Sequence, residues 1–424
     1  MHLSGQTPLF RAKNLEKYLG IESIYLKLEG ANPTGHKNDR IAEALCKYAK
    51  TKGYEKLLIH GSERYYKSII YFADYLELEC YGQVIKSDLN ISKKKQFQNI
   101  NWIDIKIKKN EDEVTQIENY AKENGMFLLS EWEKKPFIRS LAIQSIMEEI
   151  SQKLKSPTSV WSQAKGGYTV MSLYHQIMRS WIDEDIDTMP ELHCGVSKLV
   201  VDKMSDTPQS QPKFKEILEG MQSIMANTET IIHSIEEEKL TEAVKLIKKL
   251  ENVTISKNEA YSLAAFLDSE HKEGTHVILL NDGRSDIEIK EISKLPDIDM
   301  DEIVKSTREL LQPYHDSYEE TIDAVKKAVK LGYIFTAKRN NKIEGICIIV
   351  HMGFEDFIPT YHLAYIGVKS GNAGRGVATS LINAAVDKTG GKMSLHVDIP
   401  NKRAKKLYEK MGFVHCYDRM LYKG

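Results

Sequence analysis

The sequence predicts an α/β chain in two parts: a parallel-sheet region over residues 1–287, then an α+β unit over residues 288–424. Three observations predict it. Short apolar runs alternate with helical patterns through roughly the first 200 residues, the order that gives a parallel sheet covered by helices. A new strand, helix, helix, hairpin order begins near Asp286. The chain is 424 residues long and 42% apolar, which is ample for separate cores.

In chain order, "SIYLKLEG" and "KLLIHGS" read as strands. "DRIAEALCKYAKTKG" and "YYKSIIYFADYLEL" read as helices, because apolar residues recur at three- and four-residue spacing. "SVWSQAKGGYTVMSLYHQIMRSWI" reads as strand, glycine turn, helix. Ser205–Phe214 is polar with two prolines and reads as a loop. "TETIIHSIEEEKLTEAVKLIKKL" reads as a helical region and "NEAYSLAAFLDSEHKEG" as a helix, before the buried strand "THVILLNDG". The second part opens with the strand "DIEIKEIS" and helices over Asp301–His315 and Ser317–Leu331. A hairpin turning at "RNNK", the strand "TYHLAYIGVKS" and a helix from "GRGVATSLINAAVDK" follow. The strand "KMSLHVDI", the helix "NKRAKKLYEKMG" and a last strand "FVHCYDRMLYKG" complete it.

Bulk properties narrow the function. With 59 basic and 60 acidic residues, no long-range field draws the chain to nucleic acid or an anionic membrane. Five separated cysteines without a CxxC pair argue for reduced thiols, against a disulfide framework and against a metal site. No apolar run approaches the ~20 residues of a membrane span, and the N-terminus lacks a secretory pattern. A cytoplasmic location is therefore expected.

"GNAGRGVATSL", Gly371–Leu381, follows a predicted strand and opens a predicted helix. A helix N-terminus offers unpaired N–H groups and positive dipole to an anion, and glycines admit close approach. "NKRAKKLYEKMGFV" begins about 27 residues later. Together these stretches resemble the GNAT superfamily of acetyl-CoA-dependent N-acetyltransferases. Asn401, Ala404, Leu407, Tyr408, Gly412 and Phe413 match its downstream pattern, and Gly376 and Ala378 its small-residue loop positions. Ala373 departs at the loop's usual polar first position. The resemblance implies that Ile366 and Val368 bond the pantetheine arm through backbone groups. It implies a pyrophosphate cradle of Gly374, Arg375, Gly376, Val377 and Ala378, with Asn401 on the coenzyme side of a splayed strand pair. Tyr408 would be the general acid. His362 is the leading candidate base, with His351 and Glu355 as others.

"GQTPLFRAKNLEKYLGIESIYLKLEGANPTGHKNDR" resembles the start of the pyridoxal phosphate (PLP) enzymes of the tryptophan synthase β-like group, threonine synthase among them. Thr7-Pro8-Leu9, Tyr25-Leu26-Lys27, Glu29 and Asn32-Pro33-Thr34-Gly35 carry the match. Gly166 and Gly167 fall in the group's glycine loop for the cofactor phosphate. The group's cofactor lysine aligns with Asn38 without gaps, and Lys37 stands one position early. A one-residue shift near a helix start rotates a side chain by roughly 100°. The group's "SxGN" loop is replaced by Gly61-Ser62-Glu63-Arg64-Tyr65-Tyr66.

Two readings of the first part stand side by side. Either Lys37 is the working cofactor lysine through a slip, or the domain is a binding or scaffold module. For the whole chain, the resemblances imply acetyl transfer to an amino acid or small amine, which the PLP-like part makes or binds. A bifunctional enzyme and a regulated transferase are the alternatives, with a homodimer as a candidate assembly.

Overall fold

The computed structural model describes residues 3–83, 97, 100–106, 113–131, 137–164, 167–199, 222–224, 226–270, 273–285, 287–294, 299–339, 342–355, 358–369 and 376–416. The chain forms two compact units, residues 2–284 and 285–424.

The first unit begins β1 (Leu9–Arg11), α1 (Lys13–Leu19), β2 (Ser23–Leu28), α2 (Asn38–Thr51), β3 (Lys56–His60), α3 (Glu63–Tyr75) and β4 (Glu79–Gln83). It continues β5 (Asn101–Ile103), α4 (Glu113–Glu123), β6 (Phe127–Ser130), α5 (Phe137–Ser151), β7 (Ser159–Gln163), α6 (Tyr168–Ile182) and β8 (Glu191–Ser197). It ends β9 (Ile231–Ile235), α7 (Glu237–Glu251), β10 (Val253–Thr254), α8 (Tyr261–Asp268) and β11 (Thr275–Leu280), and the two-residue β12 (Arg284–Ser285) spans the boundary.

One sheet has the order β1-β2-β11-β7-β8-β9, and a second β5-β4-β3-β6; β10 and β12 form a separate ribbon. Every pairing in the two larger sheets is parallel except β1 with β2. The central strands β2, β7 and β11 are buried almost residue by residue, as parallel strands covered on both faces must be. One apolar core joins α2, α3, α5 and α6 to both sheets; another packs α1, α7 and α8 on the opposite face of the larger sheet.

Two sequence expectations need correction or restriction. The helical pattern read from Thr228 begins as the strand β9 and turns helical only at Glu237. Its β-branched opening suits a strand paired with β8, and tertiary pairing overrides the Glu/Lys-rich pattern that follows. The loop read at Ser205–Phe214 lies outside the described residues.

The second unit contains β13 (Glu288–Glu291), α9 (Met300–Leu310), α10 (Tyr318–Leu331), β14 (Tyr333–Arg339), β15 (Lys342–His351), β16 (Tyr361–Val368), α11 (Val377–Thr389), β17 (Met393–Leu395) and α12 (Lys402–Lys410). Its sheet runs β13-β14-β15-β16-β17, antiparallel except for β16 with β17. Helices α9 and α10 cover one face, α11 and α12 the other. Ser317 and Glu320 form a reciprocal capping box that starts α10. The final strand read from Phe413 is absent over residues 413–416, and its remainder lies outside the described residues. Cys46, Cys80, Cys194 and Cys347 are buried thiols, whereas Cys416 is exposed.

Candidate functional sites

In the first unit three loops leave the carboxyl ends of adjacent parallel strands: His36–Lys37 after β2, Gly167 after β7, and Asn281 after β11. That edge is where parallel sheets bind ligands. Asp39 shapes the lysine loop by accepting from Thr34 N and Oγ1 at 2.6 and 2.5 Å. Lys37 then stands at the start of α2, its backbone N–H bonded to Asn281 O at 3.0 Å. Its Nζ donates to Thr169 Oγ1 at 2.8 Å. Thr169 lies in the first turn of α6, whose cap Gly167 adopts φ 76° without a side-chain cap. The lysine tip and an uncapped helix N-terminus thus meet, and it is Lys37, not Asn38, that makes this contact. Gly166 lies outside the described residues.

Three buried polar atoms at this edge have no hydrogen-bond partner among the described residues: Gln163 Oε1, Asn281 Oδ1 and His36 Nε2. Orphaned buried polar atoms call for a ligand or water. Together with the lysine and the open helix terminus, they fit a phosphorylated aldehyde cofactor. His36 is held neutral because burial lowers its pKa, which Glu259 only partly offsets.

Sequence reading missed the carboxylate behind this loop. Glu259 accepts from Arg64 Nη1 at 2.9 Å and from Asn281 Nδ2 at 2.8 Å, and its Oε2 lies 3.8 Å from His36 Nε2. Arg64, in the replaced "SxGN" loop, also reaches Asp282 at 3.4 Å. The neighbouring tyrosines serve the core of the smaller sheet. Tyr65 bonds Arg139, while Tyr66 donates to Ile59 O and stacks on Trp102.

The remaining motif residues build a buried charge network. Arg40 bridges Glu29 at 2.8 Å and Glu149 at 2.6 Å, and fully buried Lys27 bonds Glu149 and Thr7 O. Thr7 Oγ1 and Asn32 Nδ2 donate to Glu29. Two cations and two anions balance, which is what lets them stay buried. Burial takes Lys27 down to about 8 despite Glu149 and Glu29. Burial also pushes the Glu149 carboxyl up, but Lys27 and Arg40 outweigh it and bring it to about 2.

In the second unit the parallel pairing of β16 with β17 covers only Tyr361–Met393, His362–Ser394 and Leu363–Leu395. Beyond Leu363 the strands part, and the register against β15 shifts at that point. Ile366 and Val368 lie on the stretch of β16 past the split. Gly376 caps α11 at φ 77° with no side-chain cap, and Val377 and Ala378 begin the helix. A gap in a sheet beside an uncapped helix N-terminus fits an extended ligand that carries a pyrophosphate. Gly374 and Arg375 lie outside the described residues.

Tyr408 packs its ring edge-on against Phe413 at 5.9 Å; burial, with Cys347 adding, pushes its phenol up to about 12. His362 stands beside the split with Nδ1 2.9 Å from Ser394 Oγ. Asn401 caps α12, accepting from Ala404 N at 3.1 Å. His351 accepts locally from Gly353 N, and Glu355 is exposed. Sequence reading offered no sign of Ser394, whose place is set by strand register alone.

A parallel sheet with a lysine and an open helix terminus at one edge fits a phosphate-bearing cofactor, and a split five-stranded sheet beside an uncapped helix fits an extended ligand with a pyrophosphate. The chain belongs to the pyridoxal-phosphate dependent enzyme family, whose profile matches residues 1–277. Residues 300–413 form an acetyltransferase (GNAT) family domain. The first family implies pyridoxal phosphate and the second acetyl-CoA. A 36-residue stretch is 64% identical to threonine synthase of Methanocaldococcus jannaschii, covering 8% of this chain and 9% of that protein. A 53-residue stretch is 53% identical to tryptophan synthase beta chain 2 of Pyrococcus furiosus, 12% of each. The chain thus spans only about a tenth of the length of these curated relatives. Serine racemase from Dictyostelium discoideum has a similar structure, with TM-score 0.52, 14% identity, and 65% of this chain and 92% of that one covered. A threonine deaminase from T.th. gives 0.50, 18%, 66% and 93%. At these identities the likeness shows the fold alone. No helix among the described residues is long and apolar enough to cross a membrane.

Proposed function

We propose that the second unit is an N-acetyltransferase for an amino acid or other small amine, and that the first unit makes or binds that acceptor. The observation that carries the transferase reading is the parting of β16 from β17 after Leu363, beside the uncapped start of α11. Acetyl-CoA, when bound, supplies an activated acetyl group. Backbone groups of Ile366 and Val368 hold its arm, and residues 374–378 hold its pyrophosphate, with Asn401 at the coenzyme side. His362 takes the proton of the incoming amine. Tyr408, kept protonated by burial, gives a proton on the leaving-group side.

In the first unit the Lys37–Thr169 contact supports a working cofactor lysine. Pyridoxal phosphate, when bound, supplies an electron sink for bond breaking at the α- or β-carbon of an amino acid. Lys37 Nζ holds it and moves protons; Gly166, Gly167 and Thr169 take the phosphate end; His36, Gln163 and Asn281 present polar atoms around it. A second reading, a non-catalytic amino-acid-binding module, is favoured by Arg64 and its acidic partners replacing the relatives' asparagine loop.

A mass-shift assay with acetyl-CoA against a panel of amino acids and polyamines tests the transferase: a 42 Da gain (about one acetyl group) on one panel member supports it, and none sinks it. A visible absorbance scan of the purified protein, before and after incubation with pyridoxal phosphate, separates the two readings of the first unit.

A further inference from the structure

His362 and Ser394 face each other as a register pair of β16 and β17, one pair before the strands part. His362 Nδ1 lies 2.9 Å from Ser394 Oγ. The same hydroxyl lies 3.4 Å from the carbonyl of Tyr361. A serine hydroxyl has one proton to give and lone pairs to receive, whereas a carbonyl only accepts. One proton arrangement satisfies both contacts: Ser394 Oγ–H donates to Tyr361 O, and His362 Nδ1–H donates to Ser394 Oγ. The alternative, Oγ–H pointing at Nδ1, leaves Tyr361 O facing an oxygen lone pair.

The hydrogen bond made by one ring nitrogen decides where the other keeps its lone pair. We propose that Ser394 is a positioning residue that fixes His362 with its proton on Nδ1 and thereby presents Nε2 as the proton acceptor at the split between β16 and β17. The proposal rests on the reading of His362 as the base of the transferase. His396, the residue after the last β16–β17 pair, lies with its ring 4.5 Å from that of His362 and flanks it at the same edge.

The proton count closes. An N–H bond of the acceptor breaks, a new one forms at His362 Nε2, and the freed nitrogen pair forms the amide bond as the carbon–sulfur bond breaks. The sulfur takes the Tyr408 hydroxyl proton. Tyr408 recovers a proton from water while Nε2 loses one to it. Throughout, Nδ1 keeps its proton and donates its hydrogen bond to Ser394 Oγ, so the imidazolium is stabilised without any movement of the ring.

The test uses the full chain carrying ¹⁵N-labelled histidine. Ring-nitrogen correlation spectra report which nitrogen is protonated, and the signal lost in His362→Gln identifies the residue. The wild type should show Nδ1–H with no proton on Nε2. Ser394→Ala should move the proton to Nε2, and Ser394→Thr, which keeps the hydroxyl, should leave it on Nδ1. Thiol release from acetyl-CoA with the pooled amino acids and polyamines should fall in Ser394→Ala, by less than the ~10²-fold expected for losing the base itself, and recover in Ser394→Thr. If Ser394→Ala leaves Nδ1 protonated, the role given to Ser394 is overturned, whatever the rate. If His362→Gln releases thiol as fast as the wild type, the reading of His362 as base is overturned, whatever the tautomer.

Discussion

Lys37 Nζ donates a 2.8 Å hydrogen bond to Thr169 Oγ1 across 132 residues of sequence. On the reading proposed above, this contact makes Lys37, not Asn38, the residue to test as the cofactor lysine. Lys37→Ala should abolish visible absorbance and borohydride-fixed cofactor mass, with an unchanged far-ultraviolet dichroism spectrum. Asn38→Ala should keep both signals. Fixed cofactor mass persisting in Lys37→Ala would place the attachment elsewhere.

Gly376 caps α11 at a positive φ with no side-chain cap. Gly376→Glu should abolish acetyl-CoA binding in calorimetry, since it brings a side chain and a negative charge to the helix start. Gly376→Asn, which tolerates a positive φ, should bind more weakly than wild type but measurably. Equal affinities for all three would remove the pyrophosphate from this turn.

The Tyr408 ring packs in the core against Phe413, and the role proposed for its hydroxyl is that of general acid. Tyr408→Phe should keep acetyl-CoA affinity and melting temperature and lower turnover by ~10²-fold. Steady-state kinetics beside calorimetry reads the split. Unchanged turnover would leave the ring a packing role alone.

The Lys27–Arg40–Glu29–Glu149 network sets an acid limit for the first unit. Glu149 drops from 4.5 to about 2 on folding, so its contribution is present above pH 4.5 and fades as pH falls towards 2. The loss is roughly 3 kcal/mol, shared with the partners it is coupled to. Denaturant melts over that window should show it. Glu149→Gln should cost roughly 3–5 kcal/mol near neutrality by leaving Lys27 and Arg40 unbalanced, and should flatten the acid dependence.

Expression of residues 288–424 alone should give a folded, acetyl-CoA-binding protein, because the five-stranded sheet and its two cores are formed within that unit. Insolubility of that fragment with a soluble full chain would argue against an independent transferase domain.

Much of the fold was legible because buried parallel strands are short apolar runs, as β2 and β11 are, and because Gly376 and Gly167 punctuate strand-to-helix turns. Whether Lys37 or Asn38 meets α6 was not decidable from spacing. Which residue reaches α6 depends on how Asp39 folds back on Thr34, a contact that a linear pattern does not encode. Ile231–Ile235 read as helix because no proline or glycine separates it from α7, and its strand identity comes from pairing with β8. Glu259 and Ser394 carried no local signal. One meets Arg64 across 195 residues and the other meets His362 through strand register.

The distribution of the cysteines divides the chain by chemical reactivity. Burial raises the pKa of Cys46, and pushes Cys80, Cys194 and Cys347 up to about 12, so these four resist alkylation and oxidation in the native state. Cys416, exposed shortly after the Tyr408 helix, is the accessible thiol among them. A single maleimide fluorophore will therefore mark the transferase end of the native chain without engineering. Labelling of any second thiol then becomes a sensor for unfolding of the cores that hide the other four.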